Sequence, residues 1–244
     1  MPVFHRGTVR RSQFLVGRVS ITLEIQAYDE LCVPGLAAQW ADQAGRRPFV
    51  GALTLELPTD ADDEVLSWFA AGTPPIYFGF GSTPLTSPAD TIAVISAACT
   101  SLGERALICV GPNDCTQIPL ADHVKMVEAV NHAAVFPACP RGRSPRRPRH
   151  HGCRTTRRSP SLALWVGLDQ RLWAGAIERL KVGAAHRFTA TNQESLVADL
   201  RFILSLQCVT RARDVAASMT KSAESVASAA DLLEAVARAS ALPA

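Results

Sequence analysis

A glycine-rich turn is the first stretch of this 244-residue sequence whose residue types suggest binding chemistry. Gly79, Gly81 and Ser82 follow the apolar run at 76–78. Glycines allow backbone N–H groups to approach an anion such as a phosphate, and a serine hydroxyl adds a further donor. Two glycines in a turn also arise for reasons of geometry alone, and the segment is neither a Walker loop nor a complete dinucleotide fingerprint. The turn by itself therefore leaves phosphate binding open.

A second candidate pair, Asp169 and Gln170, comes shortly after the apolar run at 162–166. A carboxylate beside an amide offers acceptors and donors that suit the vicinal hydroxyls of a sugar. The alternative is that Asp169 simply begins a helix, because the helix dipole favours an acidic side chain in the first turn. Without further context, the spacing favours helix capping over sugar binding.

Both candidate sites follow segments that the hydrophobic pattern predicts to be buried strands. Short apolar runs alternate with helical patterns, which indicates βαβ units and a parallel sheet covered on both faces. We therefore expect an α/β fold, a Rossmann-like doubly wound parallel sheet, with ligands at the carboxyl ends of its strands. The predicted strands are 76–78, 106–110, 123–127 and 162–166; the predicted helices lie between Thr59 and Gly72, between Ser87 and Gly103, at 169–182, at 193–206 behind a Thr191–Glu194 capping box, and over about the last 30 residues.

The domain organisation follows from where the pattern is regular. Residues 1–45 are interpreted as an irregular N-terminal segment or linker, and residues 46–244 as one Rossmann-like domain with an irregular interruption at 140–161. The longest apolar runs are far shorter than the roughly 18 residues that a bilayer span requires, and Arg18 interrupts the N-terminal apolar stretch that a signal peptide would need. We expect a cytoplasmic protein, with peripheral membrane contact as a further option.

Cysteine and histidine spacing gives no sign of a metal centre or a disulfide framework. The seven cysteines include no C-x-x-C pair, and Cys99 and Cys109 lie in apolar surroundings typical of buried thiols. His123, His132 and His186 are scattered without metal-ligand spacing. We therefore predict no metal and no cofactor.

The charge distribution singles out one tract. Residues 140–159 hold eight of the 25 basic residues and no acidic one. Without those eight, 17 basic residues stand against 22 acidic ones, so the formal net charge of +3 conceals an otherwise acidic chain. An arginine-rich tract of this kind is typical of nucleic-acid-binding arms, although interleaved prolines and the absence of aromatic residues between Arg141 and Ser161 deny it a stacking platform.

Three ordered motifs carry a resemblance to a known family. They are P-P-I-Y-F-G-F-G-S at 74–82, V-N-H-A-A-V-F-P at 130–137 and D-Q-x-x-W-A at 169–174. In this order they resemble the C-terminal half of GT-B glycosyltransferases, and most closely mycobacterial-type enzymes related to antibiotic and sterol glucosyltransferases. The resemblance runs from about Tyr28 to the C-terminus. It implies one of the two facing Rossmann-like domains of that fold, the one that binds the nucleotide-sugar donor.

The resemblance also implies roles for individual residues. Gly81 and Ser82 would lie near the donor phosphates, Val130 and Asn131 would flank the base or ribose, and Asp169 and Gln170 would hold the sugar hydroxyls. The family's catalytic base belongs to the other domain, so we assign no catalytic residue to this chain.

The arginine-rich tract stands where the family pattern continues with an apolar strand and H-H-G-G-A-G-T-T, whose glycines cradle the donor diphosphate. Encoded by GC-rich codons and read one base early, that motif gives P-P-R-R-R-R-H-H. Residues 144–151 read S-P-R-R-P-R-H-H. We interpret the tract as a translated wrong frame that ends where the expected strand resumes at Leu162. The family resemblance on both sides favours this interpretation over a nucleic-acid-binding arm.

The sequence therefore predicts a hexosyltransferase domain that binds a UDP- or TDP-hexose, for transfer to a lipid or natural-product hydroxyl. We expect it to be truncated and impaired, and to bind no nucleic acid. The alternative function is a non-catalytic protein that binds nucleic acid through the arginine-rich tract.

Overall fold

A computed structural model describes residues 15–16, 19–20, 23–54, 57–135 and 159–241 of the chain. Its strands are β1 (Leu15–Val16), β2 (Val19–Ser20), β3 (Ile76–Gly79), β4 (Ala106–Cys109), β5 (Val124–Val127), β6 (Ser161–Trp165) and β7 (Gly183–Arg187). Its α-helices are α1 (Pro34–Gln39), α2 (Asp62–Ala70), α3 (Pro88–Leu102), α4 (His132–Val135), α5 (Leu168–Leu180), α6 (Gln193–Ile203), α7 (Leu206–Ala217) and α8 (Ser222–Ala241). Short 3-10 turns lie at Glu30–Cys32, Ala41–Gln43 and Phe188–Ala190.

The principal strands are parallel, which confirms the predicted fold class. β3, β4 and β5 form one sheet in that order, with Ile76 opposite Ala106 and Ala106 opposite Val124. β6 and β7 form a second parallel pair, in which Ser161 lies opposite Gly183. β1 and β2 form a separate antiparallel pair.

Side-chain alternation along β3 places helices on both faces of its sheet. Ile76 and Phe78 pack into a core shared with α3 and α6, which also takes in Leu162 of β6. Tyr77 points to the opposite face, into a cluster formed with α2, α4 and Leu107 of β4. A third cluster joins α5 and α7 to Ala163 on the other face of β6. The sheet is therefore wound with helices on both sides.

Capping chemistry suggested by the sequence holds at the end of α3 but not at the starts of α3 and α6, since the Ser87 side chain makes no capping hydrogen bond. Gly103 ends α3 in the left-handed conformation, at φ +65°, as expected for glycine at this position. The predicted Thr191–Glu194 capping box is wrong, because Asn192 caps α6 instead. Its side chain accepts a hydrogen bond from the Ser195 N–H, at 2.9 Å, while the Asn192 N–H donates to the Ser195 hydroxyl.

Three further element predictions need correction. The helix predicted at 193–206 ends at Ile203, and α7 follows as a separate helix capped by Ser205. Strand β6 begins at Ser161, a buried residue that the sequence placed at the end of the irregular interruption. Strand β7 was missed, because its Gly-Ala-Ala core carries too little hydrophobicity to stand out as a strand. The rest of the interruption, residues 140–158, lies outside the described residues.

Part of the N-terminal segment, which the sequence analysis interpreted as irregular, has regular structure. Residues 30–43 contain the helix α1 and two of the 3-10 turns. Asp29, which is largely buried, accepts hydrogen bonds from the Leu31 N–H and from both the N–H and the hydroxyl of Thr220. The ring of Tyr28 meets that of Trp173 edge-on at 5.2 Å. These contacts bind the segment to α5 and to the turn before α8. None of the helices in the described part of the chain has the length and apolar character that crossing a bilayer demands.

Candidate functional site

The glycine-rich turn lies at the carboxyl end of β3 and projects a serine hydroxyl into solvent. The Phe80 N–H donates to the carbonyl of Cys109, at 2.9 Å, so the turn begins where the ladder with β4 ends. The Thr83 N–H then donates back to the carbonyl of Phe80, at 3.1 Å. Gly81, between them, has φ +56°, a left-handed conformation that favours glycine. Ser82 is exposed at the tip of the turn.

A second turn, after β4, supports the first by direct backbone contact. Gly111 also has a left-handed backbone, at φ +62°. A β-carbon placed on Gly111 would lie 1.9 Å from the carbonyl oxygen of Gly81, so the contact requires glycine. Asn113 from the same turn forms hydrogen bonds to the glycine-rich turn through its side chain. The sequence analysis missed Asn113, although asparagine in a turn directly after a buried strand often bonds to neighbouring backbone groups.

The loop after β5 places Val130 and Asn131 at the same edge of the sheet, but with their side chains committed to the fold. Val130 is 6% exposed and packs among Tyr77, Leu107 and neighbouring core residues. The Asn131 side-chain oxygen accepts from the Ala133 N–H, at 3.0 Å, and so caps α4. Only the backbone of Val130 is therefore left to flank a base or ribose, the position that the sequence predicted for this residue.

Asp62 anchors this loop from α2. Its carboxylate accepts from the Asn131 N–H, at 2.8 Å, and from the N–H and the hydroxyl of Thr59. Burial by itself would raise the pKa of Asp62, but the hydrogen bonds from Thr59 and Asn131, with a smaller contribution from His132, outweigh it and lower that pKa. Asp62 is therefore held as an anion that fixes the Asn131 backbone.

Tyr77 and His132 link the sheet to the same loop. The Tyr77 hydroxyl lies 2.9 Å from Nε2 of His132, and the two rings meet edge-on with centroids 5.6 Å apart.

No cluster of three or more metal-ligating side chains occurs among the described residues. Cys99 and Cys109 are buried as predicted, and burial, with Glu104 nearby, raises the pKa of the Cys99 thiol to about 12. Such a thiol is not a nucleophile at neutral pH.

Gln170 lies in the first turn of α5, after β6, where it closes its own turn. Its side-chain oxygen accepts from the Val166 N–H at 2.7 Å and from the Gly167 N–H at 3.4 Å. The sequence suggested a helix-start role for Asp169 and not for Gln170. The Nε2 group is the part of the Gln170 side chain suited to donate to a ligand. The backbone of Asp169 lies beside it in the same helical turn, and the side chain of Asp169 lies outside the described residues.

An apolar cavity of about 190 Å³ lies where β3 and β6 share the core. Its walls come from β3 and the turn after it, from β6, α3 and α6, and from the segment after β7. They comprise Phe78, Phe80, Val94, Ile95, Leu162, Leu164, Phe188 and Leu196, with Asp90, Thr91 and Thr191 among the polar groups. A mainly hydrocarbon surface offers little to a diphosphate. The polar chemistry of this edge therefore belongs to the exposed turn with Ser82.

The six predicted binding residues thus divide into two groups. Gly81, Ser82, Val130 and Asn131 lie at the carboxyl edge of the β3–β4–β5 sheet, because parallel strands end on the same side. Asp169 and Gln170 follow the end of β6, in the second parallel pair. Both groups occupy the end of the strands at which open α/β sheets bind their ligands.

Comparison with curated proteins finds mycobacterial relatives whose names describe them as uncharacterized glycosyltransferases. The chain is 64% identical over 218 residues to an uncharacterized glycosyltransferase of Mycobacterium leprae, and 60% identical over 223 residues to one of Mycobacterium tuberculosis. These alignments cover 87% and 89% of this chain but 50% and 52% of the relatives, so the chain spans about half the length of the curated relatives it matches. A sterol 3-beta-glucosyltransferase of Arabidopsis thaliana is 35% identical over 81 residues, which are 32% of this chain and 13% of that protein. No protein-family model matches the chain.

Two solved structures, described next, share the fold of this chain. LpCGTa in complex with UDP matches with a TM-score of 0.64 and 18% identity, over 90% of this chain and 55% of that one. The calicheamicin glycosyltransferase CalG4 matches with a TM-score of 0.61 and 12% identity, over 88% of this chain and 53% of that one. At these identities the likeness concerns the fold. The chain thus has the fold of GT-B glycosyltransferases and is similar in sequence to about half of each mycobacterial protein named above.

Proposed function

We propose that this chain is the nucleotide-sugar-binding half of a GT-B glycosyltransferase, which takes a UDP- or TDP-hexose destined for a lipid or natural-product hydroxyl. The observation that carries the proposal is the exposed Ser82 on a glycine-rich turn at the carboxyl end of β3. The identity to mycobacterial proteins named glycosyltransferases supports it. A solved structure of the same fold that contains UDP supports the choice of ligand.

The proposed binding mode assigns a different part of the donor to each turn. Backbone N–H groups around Gly81 and the hydroxyl of Ser82 donate to phosphate oxygens, as glycine-rich turns do in other anion sites. The backbone of the Val130–Asn131 loop borders the nucleoside. Asp169 and the Nε2 group of Gln170 face the sugar hydroxyls, since a carboxylate accepts and an amide nitrogen donates.

Group transfer makes two demands beyond donor binding. A base must lie within hydrogen-bond reach of the acceptor hydroxyl, and the departing diphosphate must be stabilised where its charge develops. We assign the base to a second domain and the stabilisation to the glycine motif that the arginine-rich tract replaces. We therefore propose that this chain binds its donor weakly and does not turn it over.

Titration calorimetry with UDP tests the proposal, combined with amide chemical shifts of Gly81 and Ser82. We expect weak, saturable binding, with the shift changes concentrated on the glycine-rich turn. Absence of UDP and TDP binding at millimolar concentrations, in a chain whose spectrum shows it to be folded, would contradict the proposal. So would binding that leaves both of these amides unmoved.

The coding DNA tests the frame interpretation separately. Across codons 138–162, a one-base shift should restore an H-H-G-G-type motif, and a chain expressed with that shift should bind UDP more tightly. If no one-base shift restores such a motif, the interpretation fails.

The eight arginines favour one alternative function, the binding of nucleic acid. Such binding neutralises phosphates and releases counterions, so its affinity falls steeply with salt. Salt-dependent binding to arbitrary DNA, together with no affinity for UDP or TDP, would favour the alternative over the proposed function.

A further inference from the structure

One amide side chain joins the two glycine-bearing turns. Oδ1 of Asn113 accepts from the Leu85 N–H, at 2.8 Å, while Nδ2 donates to the carbonyl oxygen of Thr83, at 3.1 Å. Nδ2 also donates to the carbonyl of Val110, at 2.6 Å, which fixes the side chain to its own turn. Asn113 therefore holds the backbone just after Ser82 by two hydrogen bonds, one at Thr83 and one at Leu85.

The chemistry of these contacts requires an amide. The oxygen must accept a hydrogen bond from an N–H group, and the nitrogen must donate hydrogen bonds to two carbonyl oxygens. Among short side chains, asparagine offers both functions at this length. Alanine removes all three hydrogen bonds. An ionised aspartate keeps the acceptor for Leu85 but presents a second anionic oxygen to the carbonyls of Thr83 and Val110.

The hydrogen bonds from Asn113 to Thr83 and Leu85 act on the turn after β3 rather than on the pairing of β3 with β4. The ladder between β3 and β4 is complete without Asn113, because Gly79 pairs with Cys109 and the Phe80 N–H donates to the Cys109 carbonyl. Leu85 is buried in the core at the far end of the turn. Between these two fixed points, the bonds from Asn113 act on the turn together with the Thr83–Phe80 hydrogen bond and the close approach of Gly111 to Gly81.

We propose that Asn113 is a positioning residue, which holds the Ser82 turn in the geometry that receives a donor phosphate. The inference rests on the proposed function, because it assumes that the turn contacts the donor. Its physical basis is preorganisation: a turn that is already ordered loses less conformational entropy when its ligand binds.

The test compares Asn113→Ala and Asn113→Asp with the unchanged chain, by UDP calorimetry and by hydrogen exchange of the Leu85 amide. We expect Asn113→Ala, which loses both hydrogen bonds to the Ser82 turn, to weaken UDP binding about tenfold and to speed exchange at Leu85. Asn113→Asp should bind as weakly at pH 8. The carbonyl oxygens of Thr83 and Val110 should raise the pKa of the new carboxyl above its usual value of about 4, so the variant should recover affinity relative to the unchanged chain as the pH falls toward 4, where a protonated carboxyl again donates to a carbonyl.

Asn192→Ala is the matched control. It removes an asparagine that caps α6 and that bonds to Ser195, with no side-chain hydrogen bond to either glycine-bearing turn. This variant should lose stability, as lost helix caps do, yet keep the UDP affinity and the Leu85 exchange rate of the unchanged chain. A purely structural role for Asn113 would leave the UDP affinity of both alanine variants unchanged.

The outcomes separate the two claims. If the unchanged chain binds no UDP, the proposed function fails and the donor role of Asn113 fails with it. If the unchanged chain binds UDP and Asn113→Ala binds equally well, the function stands and the role of Asn113 is overturned. Unchanged Leu85 exchange in Asn113→Ala also overturns it, whatever the affinity.

Discussion

Gly111 packs so closely on Gly81 that a β-carbon on Gly111 would lie 1.9 Å from the Gly81 carbonyl oxygen. The two residues belong to turns that follow neighbouring parallel strands, and both have left-handed backbones. The glycine-rich turn that presents Ser82 is thus shaped in part by a residue 30 positions away in the sequence. This contact makes the shape of the candidate site directly sensitive to substitution at Gly111.

Gly111→Ala should therefore destabilise the protein strongly, and Gly103→Ala is its control. Both glycines have positive φ, but a β-carbon at Gly103 would meet no atom within 4 Å. Gly103→Ala should cost about 1 kcal/mol of unfolding free energy, for the left-handed backbone alone. Gly111→Ala adds a backbone clash and should cost roughly 3 kcal/mol or more. Urea unfolding of the two variants measures the difference, and equal losses would contradict the close contact.

Asp62 should make the stability of the fold fall in acid. Its pKa is lowered on folding, because the hydrogen bonds from Thr59 and Asn131 outweigh the opposing effect of burial. A carboxyl group with a lowered pKa contributes stability above its unfolded pKa of about 4, and that contribution is lost as the pH falls through the folded pKa.

Asp62→Asn tests this sign. The variant should melt at a lower temperature than the unchanged chain at pH 7, and the gap between them should narrow as the pH is lowered below about 4. Asp63→Asn changes the exposed neighbouring carboxylate and serves as the control. A gap that stays constant from neutral to acidic pH would show that the Asp62 charge does not matter.

Ser82→Ala should weaken UDP binding with little effect on stability. The side chain is exposed, so its removal leaves the core intact, but it deletes one hydrogen-bond donor to a phosphate. We expect a loss of about three- to tenfold in affinity, measured by calorimetry. Ser101→Ala removes an exposed serine from the last turn of α3, where its hydroxyl donates to the Ala97 carbonyl, and should bind UDP normally. Equal affinity of the two variants would remove Ser82 from the site.

The 244-residue chain should show no measurable turnover of UDP- or TDP-glucose. Loss of a single hydrogen-bond donor to a developing charge can cost roughly 10² to 10³ in rate, and we assign both the diphosphate loop and the acceptor base to parts that this chain does not supply. Release of UDP, followed with a set of hydroxyl acceptors, is the measurement. Restoring the frame should tighten nucleotide binding, while turnover should still require the facing domain. Robust transfer by the unmodified chain would overturn this interpretation.

The sequence by itself determined the fold class and the places where ligand chemistry could occur. Apolar runs of the right length marked β3, β4 and β6 to within one or two residues, because buried parallel strands have a nearly continuous apolar pattern. Strand β5 was also marked, although it contains Lys125 and only Val124 of its residues is buried. Gly103 was identified as a helix end for a local reason, its left-handed backbone. The motifs at 74–82, 130–137 and 169–174 pointed to the glycosyltransferase resemblance, which the mycobacterial relatives support.

Tertiary structure decided how the side chains at those places are used. Val130 and Asn131 belong to a motif, yet one side chain is in the core and the other caps α4, and only their neighbours in space reveal this. Asn113 and Asp62 escaped notice because their partners lie 28 to 69 positions away in the sequence. Strand β7 was missed because pairing with β6, rather than its own hydrophobicity, stabilises it. The local sequence pattern indicates which secondary structure a segment favours. Long-range hydrogen bonds and close contacts form only once the chain has folded.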